Sequence, residues 1–117
     1  MKILVVEDAE ERIKWFKKRF ENDLLIIVTN ADDAIKKLMY DLQWDCIFLD
    51  HDLSNEDFGK NGFNERTGTE VAKFLNSKDY KGKIIIHSMN YYGMRSIQSY
   101  LPNSIVCQFP FLSTVDM

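Results

Sequence analysis

Short apolar runs alternate with amphipathic segments along the whole chain, and no segment repeats. Residues 2–6 (KILVV) form a near-continuous apolar run, which predicts a buried strand. Over residues 10–20, Ile13, Phe16 and Phe20 recur at helical spacing, with Lys and Arg elsewhere. Residues 24–29 (LLIIVT) are short and β-branched and predict a second strand. Asn30 can cap a helix over 31–42, whose apolar positions are Ala34, Ile35, Leu38, Met39 and Leu42. Strands follow at 45–50 (DCIFLD), 83–88 (KIIIHS) and 104–108, the last stopped by Pro110. Helices are predicted over 67–76 and 93–101, and the polar, glycine-containing stretch 51–66 reads as a loop.

Strands alternating with helices imply right-handed crossovers and a parallel sheet. Near-continuous apolar strands imply that both faces of that sheet are covered. The 117 residues suffice for one domain, 1–117, and 45% hydrophobic content excludes a disordered chain. Interleaved charges summing to -3 argue against a strong nucleic-acid backbone binder, though not against capture of an RNA end in a small pocket. The apolar run at the start is too short for a secretory signal, and none approaches the roughly 20 residues that span a bilayer. Cys46 and Cys107 fall on predicted strands, and in the strand order that the resemblance described below implies another strand lies between them, about 9–10 Å apart. That is too far for a disulfide, and two reduced thiols fit a cytoplasmic protein.

Parallel sheets of this kind place ligands at the carboxyl ends of their strands. There the chain has Glu7-Asp8, Asp50-His51-Asp52 and His87-Ser88, with Asn90 just beyond. Several carboxylates in one pocket repel each other unless some stay protonated or a cation sits among them. Oxygen ligands suit Mg²⁺ (or Mn²⁺), a metal that commonly accompanies a phosphoryl group. Strand alternation points His51 away from Asp50, returns Asp52 to Asp50's side, and turns His87 away from Ser88.

Val5-Val6-Glu7-Asp8, the Leu49-Asp50 strand end, Thr67-Gly68-x-Glu70-Val71-Ala72 and the Ser88 strand end resemble the receiver domains of response regulators. The resemblance implies a flavodoxin-like three-layer sandwich with a five-stranded parallel sheet in the order 2-1-3-4-5. It implies Glu7 and Asp8 as Mg²⁺ ligands, Asp50 as phospho-acceptor and metal ligand, and Ser88 as the switch hydroxyl. Receivers carry a lysine before a proline at the end of strand five, whereas Phe109 precedes Pro110 here. Leu49-Asp50-His51-Asp52-Leu53, the Thr67-Gly68 motif and Ile86-His87-Ser88-Met89-Asn90 are similar to the pattern of cyclic-phosphate-processing receiver-like domains. That likeness implies metal-assisted phosphoester hydrolysis at Asp8, Asp50, His51, Asp52, His87 and Ser88. The substrate would be a phosphorylated small molecule or an RNA end. His51 or His87 would serve as general acid or base, and Ser88 would position the phosphate. The alternative is a stand-alone response regulator phosphorylated on Asp50 by a histidine kinase.

Three further expectations follow. The stretch 51–66, with its acidic segment 55–57, would be a lid. Tyr91 and Tyr92 would stack a nucleobase. The chain has no room for a full fifth helix, so one sheet face would be covered by a dimer partner or by the short tail 111–115 folded back.

Overall fold

A computed structural model describes residues 1–53 and 67–114 of the chain. Residues 54–66 of the expected lid, with its acidic segment 55–57, and the last residue of the tail segment therefore lie outside the described residues. The elements run β1 (Lys2–Val6), α1 (Glu10–Arg19), β2 (Leu24–Val28), α2 (Ala31–Tyr40), β3 (Cys46–Leu49), α3 (Gly68–Ser77), β4 (Lys83–Ile86), α4 (Tyr91–Tyr100) and β5 (Ile105–Val106). A short 3₁₀ helix, Phe109–Thr114, follows. The strands form one parallel sheet in the order β2-β1-β3-β4-β5. The alternating strand pattern implied the parallel sheet, and the resemblance to receivers implied this flavodoxin-like strand order.

Alternation along the strands sorts their side chains onto two cores. Leu4, Val6, Ile47, Leu49, Ile84 and Ile86 face α2, α3 and α4, where Leu38, Val71, Leu75 and Ile97 meet them. Ile3, Val5, Cys46, Phe48 and Ile85 face the other way, onto Phe16 and Phe20 of α1 and Leu112 of the 3₁₀ helix. The tail thus packs back on the α1 face of the sheet, with Phe109 also against this second core. Cys46 and Cys107 are free, with β4 lying between β3 and β5. Among the described residues no helix is long and apolar enough to cross a membrane.

Local chemistry sets the helix boundaries. α1 carries Glu10 and Glu11 in its first turn and Lys17, Lys18 and Arg19 in its last, matching the helix dipole. α4 begins at Tyr91, two residues before the expected start, because Asn90 is its cap and accepts from the Gly93 N–H at 3.0 Å. β5 is shorter than expected, since the chain enters the 3₁₀ helix at Phe109. Asn30 caps α2 as predicted, its Oδ1 accepting from Asp33 N–H at 2.8 Å. Asn30→Ala should therefore cost about 1 kcal/mol, read as a lower denaturant midpoint with unchanged slope.

Candidate functional site

The register explains which strand-end side chains meet. Val6 pairs with Leu49, and Leu49 with Ile86. One residue further on, Glu7, Asp50 and His87 stand abreast, and alternation turns all three onto the α1 face. Glu7 N–H bonds Val28 O, Asp50 N–H bonds Val6 O and His87 N–H bonds Leu49 O, so each is held by the next strand. Oxygen and nitrogen atoms of the three side chains lie within 4.8 Å of one another.

Glu7 is fully buried yet completely partnered. Its Oε2 accepts from the N–H groups of Asp8 (2.9 Å) and Ala9 (3.1 Å) at the start of α1. Its Oε1 lies 3.1 Å from His87 Nε2 and 3.4 Å from an Arg12 nitrogen. Burial alone pushes this carboxyl up. The His87 hydrogen bond, the Ala9 N–H and the nearby positive charge outweigh it and hold Glu7 at about 2. His87 is fully buried too, edge-on to Phe16 at 5.3 Å and near Phe48 at 6.4 Å. Its Nδ1 has no hydrogen-bond partner among the described residues. With Nε2–H donating to Glu7, His87 fixes that carboxylate.

Asp50 shares the pocket under opposite conditions. Its Oδ1 accepts from His51 N–H at 2.8 Å, and its Oδ2 is 3.6 Å from Arg12. Burial first, and then the negative charge of Glu7, push its carboxyl up to about 6, against the pull of His87, His51 N–H and Arg12. Arg12 was not singled out in the sequence. It lies on α1 at the same helical stripe as Phe16 and Phe20, four and eight residues before them, so the apolar stripe delivers its charge to the strand ends.

The other strand-end residues form a second group. The strand does not continue past Leu49, and the chain bends at His51 and Asp52. Asp52 therefore does not return to Asp50's side as alternation predicted. Its Oδ1 takes His51 Nδ1 at 2.9 Å and Asn90 Nδ2 at 3.2 Å, beside the start of α4. The His51 hydrogen bond, with help from Asn90, holds the Asp52 carboxyl below its usual range despite some burial. The His51 ring occupies the space over Gly93, where an added Cβ would come within 2.3 Å of it. Ser88 is buried, its Oγ accepting from Asn90 N–H at 3.0 Å. Asp8 stands half-buried at the rim, outside the Glu7–Asp50–His87 group. Tyr91 and Tyr92 are exposed on α4, in edge contact with each other at 5.6 Å.

Gly68 locks the bend. Its N–H donates to His51 O at 2.9 Å, and a Cβ there would sit 2.1 Å from Asp50 O. Gly68→Ala must push α3 away from the acceptor strand. We expect a loss of about 1–3 kcal/mol, measured by chemical denaturation, with His51 amide shifts moving more than those of α2.

Whether a divalent cation fits is a question of charge and ligand type. Glu7, Asp8 and Asp50 would carry three negative charges, and Arg12 supplies one positive charge. The balance of two negatives is what a divalent cation neutralises. The Asp50 carboxyl is raised first by burial and then by the charge of Glu7. Carboxylate oxygens are the ligands that Mg²⁺ and Mn²⁺ prefer. The residues present fit such an ion.

Comparison with known proteins gives the family and the fold. The sequence profile of the cyclic-phosphate processing receiver domain matches residues 2–103. No curated protein matches the chain. Among solved structures, the receiver domain of a sensor histidine kinase from Pseudomonas aeruginosa, with a magnesium ion in its active-site cleft, superposes with a TM-score of 0.74 at 17% identity, covering 96% of this chain and 87% of that one. The response regulator TrrA from Thermotoga maritima, in complex with magnesium and beryllofluoride, gives 0.67 at 23% identity, over 97% and 93% of the two chains. The phosphorylated cyanobacterial phytochrome response regulator RcpA gives 0.67 at 19% identity, over 98% and 96%.

Proposed function

The chain belongs to the cyclic-phosphate processing receiver domains, and from that footing we propose that it is a metal-dependent phosphoesterase for cyclic phosphate or nucleotide ends. The observation that carries the reading is the buried pair of carboxylates, Glu7 and Asp50, brought together where parallel sheets bind ligands. Glu7, Asp8 and Asp50 would hold Mg²⁺ or Mn²⁺, which when bound polarises phosphoryl oxygens and makes water more acidic.

The chain's own residues divide the remaining work. His87 holds Glu7 through Nε2 and acts as a positioning residue. Asp52 holds His51 through Nδ1, so Nε2 is the ring nitrogen without a hydrogen-bond partner among the described residues and the one to exchange a proton. His51 is therefore the general acid or base of this reading, with Asp52 orienting it and Asn90 orienting Asp52. Ser88 has a hydroxyl hydrogen to donate to a phosphoryl oxygen. In the net step, a water oxygen bonds to phosphorus, one phosphorus–oxygen bond to the ribose breaks, and the departing oxygen takes a proton. Tyr91 and Tyr92 offer aromatic surface for a base beside this site.

One observation favours a second reading, a stand-alone response regulator phosphorylated on Asp50 by a histidine kinase. Asp50 and Ser88 occupy adjacent strand ends in the receiver pattern. The two readings differ in what survives at Asp50. Treatment with a small phospho-donor and Mg²⁺ should leave no lasting adduct by intact mass. A persistent acyl phosphate on Asp50, absent from Asp50→Asn, would replace the enzyme reading with the signalling one.

A further inference from the structure

We propose that Arg12, resting on the ring of Phe109, is the cation that binds phosphoryl oxygens in this pocket, in place of the lysine that receivers carry where Phe109 stands. The inference rests on the phosphoryl-handling reading above and adds the residue that grips the anion.

Four observations support it. First, one Arg12 nitrogen reaches both carboxylates, 3.4 Å from Glu7 Oε1 and 3.6 Å from Asp50 Oδ2. Both distances are long for a charge-assisted hydrogen bond, and neither carboxylate is gripped by two nitrogens. Second, a guanidinium has five N–H donors, and the Glu7 contact is its only hydrogen bond to a pocket carboxylate among the described residues. Among the described residues, the rest of its donor capacity meets no hydrogen-bond acceptor in the pocket. Third, the Arg12 side chain is 28% exposed, against 0% for Glu7 and 5% for Asp50. An anion entering from solvent meets the guanidinium before the carboxylates.

The fourth is the support beneath it. The guanidinium carbon lies 5.3 Å from the Phe109 ring centroid, within cation–π range. That ring is itself set edge-on to Trp15 at 5.5 Å and tilted against Phe16 at 6.2 Å, so the platform is fixed. Phenylalanine cannot supply the lysine's charge, but it can hold an arginine that does. A divalent cation held by the carboxylates would repel Arg12 from them, and the planar fork suits phosphate oxygens bidentately.

A competing account is that Arg12 only neutralises Glu7 and Asp50. The two accounts separate in a binding experiment on the intact chain, with inorganic phosphate as probe and Mg²⁺ present, read by calorimetry. We expect Arg12→Gln to weaken phosphate binding by about 10- to 100-fold, the range for a charge-assisted hydrogen bond. Mg²⁺ alone should bind the variant at least as tightly as the wild type, which also reports an intact pocket. Adding Phe109→Lys to Arg12→Gln should recover most of the phosphate affinity. Equal phosphate affinity in wild type and Arg12→Gln would overturn the assignment. Loss of Mg²⁺ and phosphate binding together would overturn it too, as the mark of a structural role. A wild type that binds Mg²⁺ but no phosphate would defeat the phosphoryl-handling reading itself, and this inference with it.

Discussion

Asp50→Asn should lower turnover of a cyclic phosphate by at least about 10³-fold, or about 4 kcal/mol of transition-state stabilisation. The substitution keeps the shape and the acceptor for His51 N–H, since an amide oxygen can replace Oδ1. It removes a negative charge on which cation binding depends. The same change should stabilise the metal-free protein near neutral pH, because Glu7 no longer faces a second buried anion. A variant with less activity and more stability separates a functional carboxylate from a structural one. Loss of both together would mean that Asp50 mainly supports the fold. The measurements are steady-state hydrolysis and thermal unfolding of the same preparations.

The second large effect is a pH-dependent response to Mg²⁺. Asp50 binds its proton more tightly folded, at about 6, than unfolded, at 3.8, through burial and the charge of Glu7. Its contribution to stability is therefore complete below about pH 4 and is lost as pH rises through about 6. A shift of roughly two units corresponds to about 3 kcal/mol. Glu7 has the opposite sign. Its carboxyl is lowered to about 2, so its contribution is present above about 4.5 and disappears only as pH falls through about 2. His87 and Arg12 face both carboxylates: they help to lower Glu7 and oppose the rise at Asp50. In metal-free protein the Asp50 contribution should therefore fall between about pH 4 and 7. Millimolar Mg²⁺ should restore it at about pH 8, raising the melting temperature by roughly 5–10 °C. Near pH 5 a proton competes for Asp50, and the rise should be much smaller. A Mg²⁺ effect independent of pH would mean that the ion binds elsewhere.

Much of this site was legible in the residues. The apolar runs identified every strand, and parallel pairing placed Glu7, Asp50, His87 and Ser88 at one edge. Period-two alternation also separated His87 from Ser88 correctly, because both positions lie within a residue or two of a regular strand. The same rule failed for Asp52, since β3 ends at Leu49 and the Gly68 contact bends the chain. Arg12 went unnoticed because a charged residue on a helix is normally read as solvent-facing. Its spacing of four from Phe16 was the available signal, for it puts a cation on the buried stripe beside the acids. The cap at Asn90 was a second such signal, and it moves the start of α4 to Tyr91. The tail could be read only as an alternative between a partner copy and a folded-back segment. Which apolar face Leu112 would cover depends on packing that no local pattern encodes.

The most direct test of the account is hydrolysis of a 2′,3′-cyclic nucleotide by the intact protein with Mg²⁺ or Mn²⁺, with and without chelator. The account predicts metal-dependent release of a nucleoside monophosphate, abolished by chelator and by Asp50→Asn. Turnover unaffected by chelator, or no turnover with either metal across the four 2′,3′-cyclic nucleotides, would contradict it.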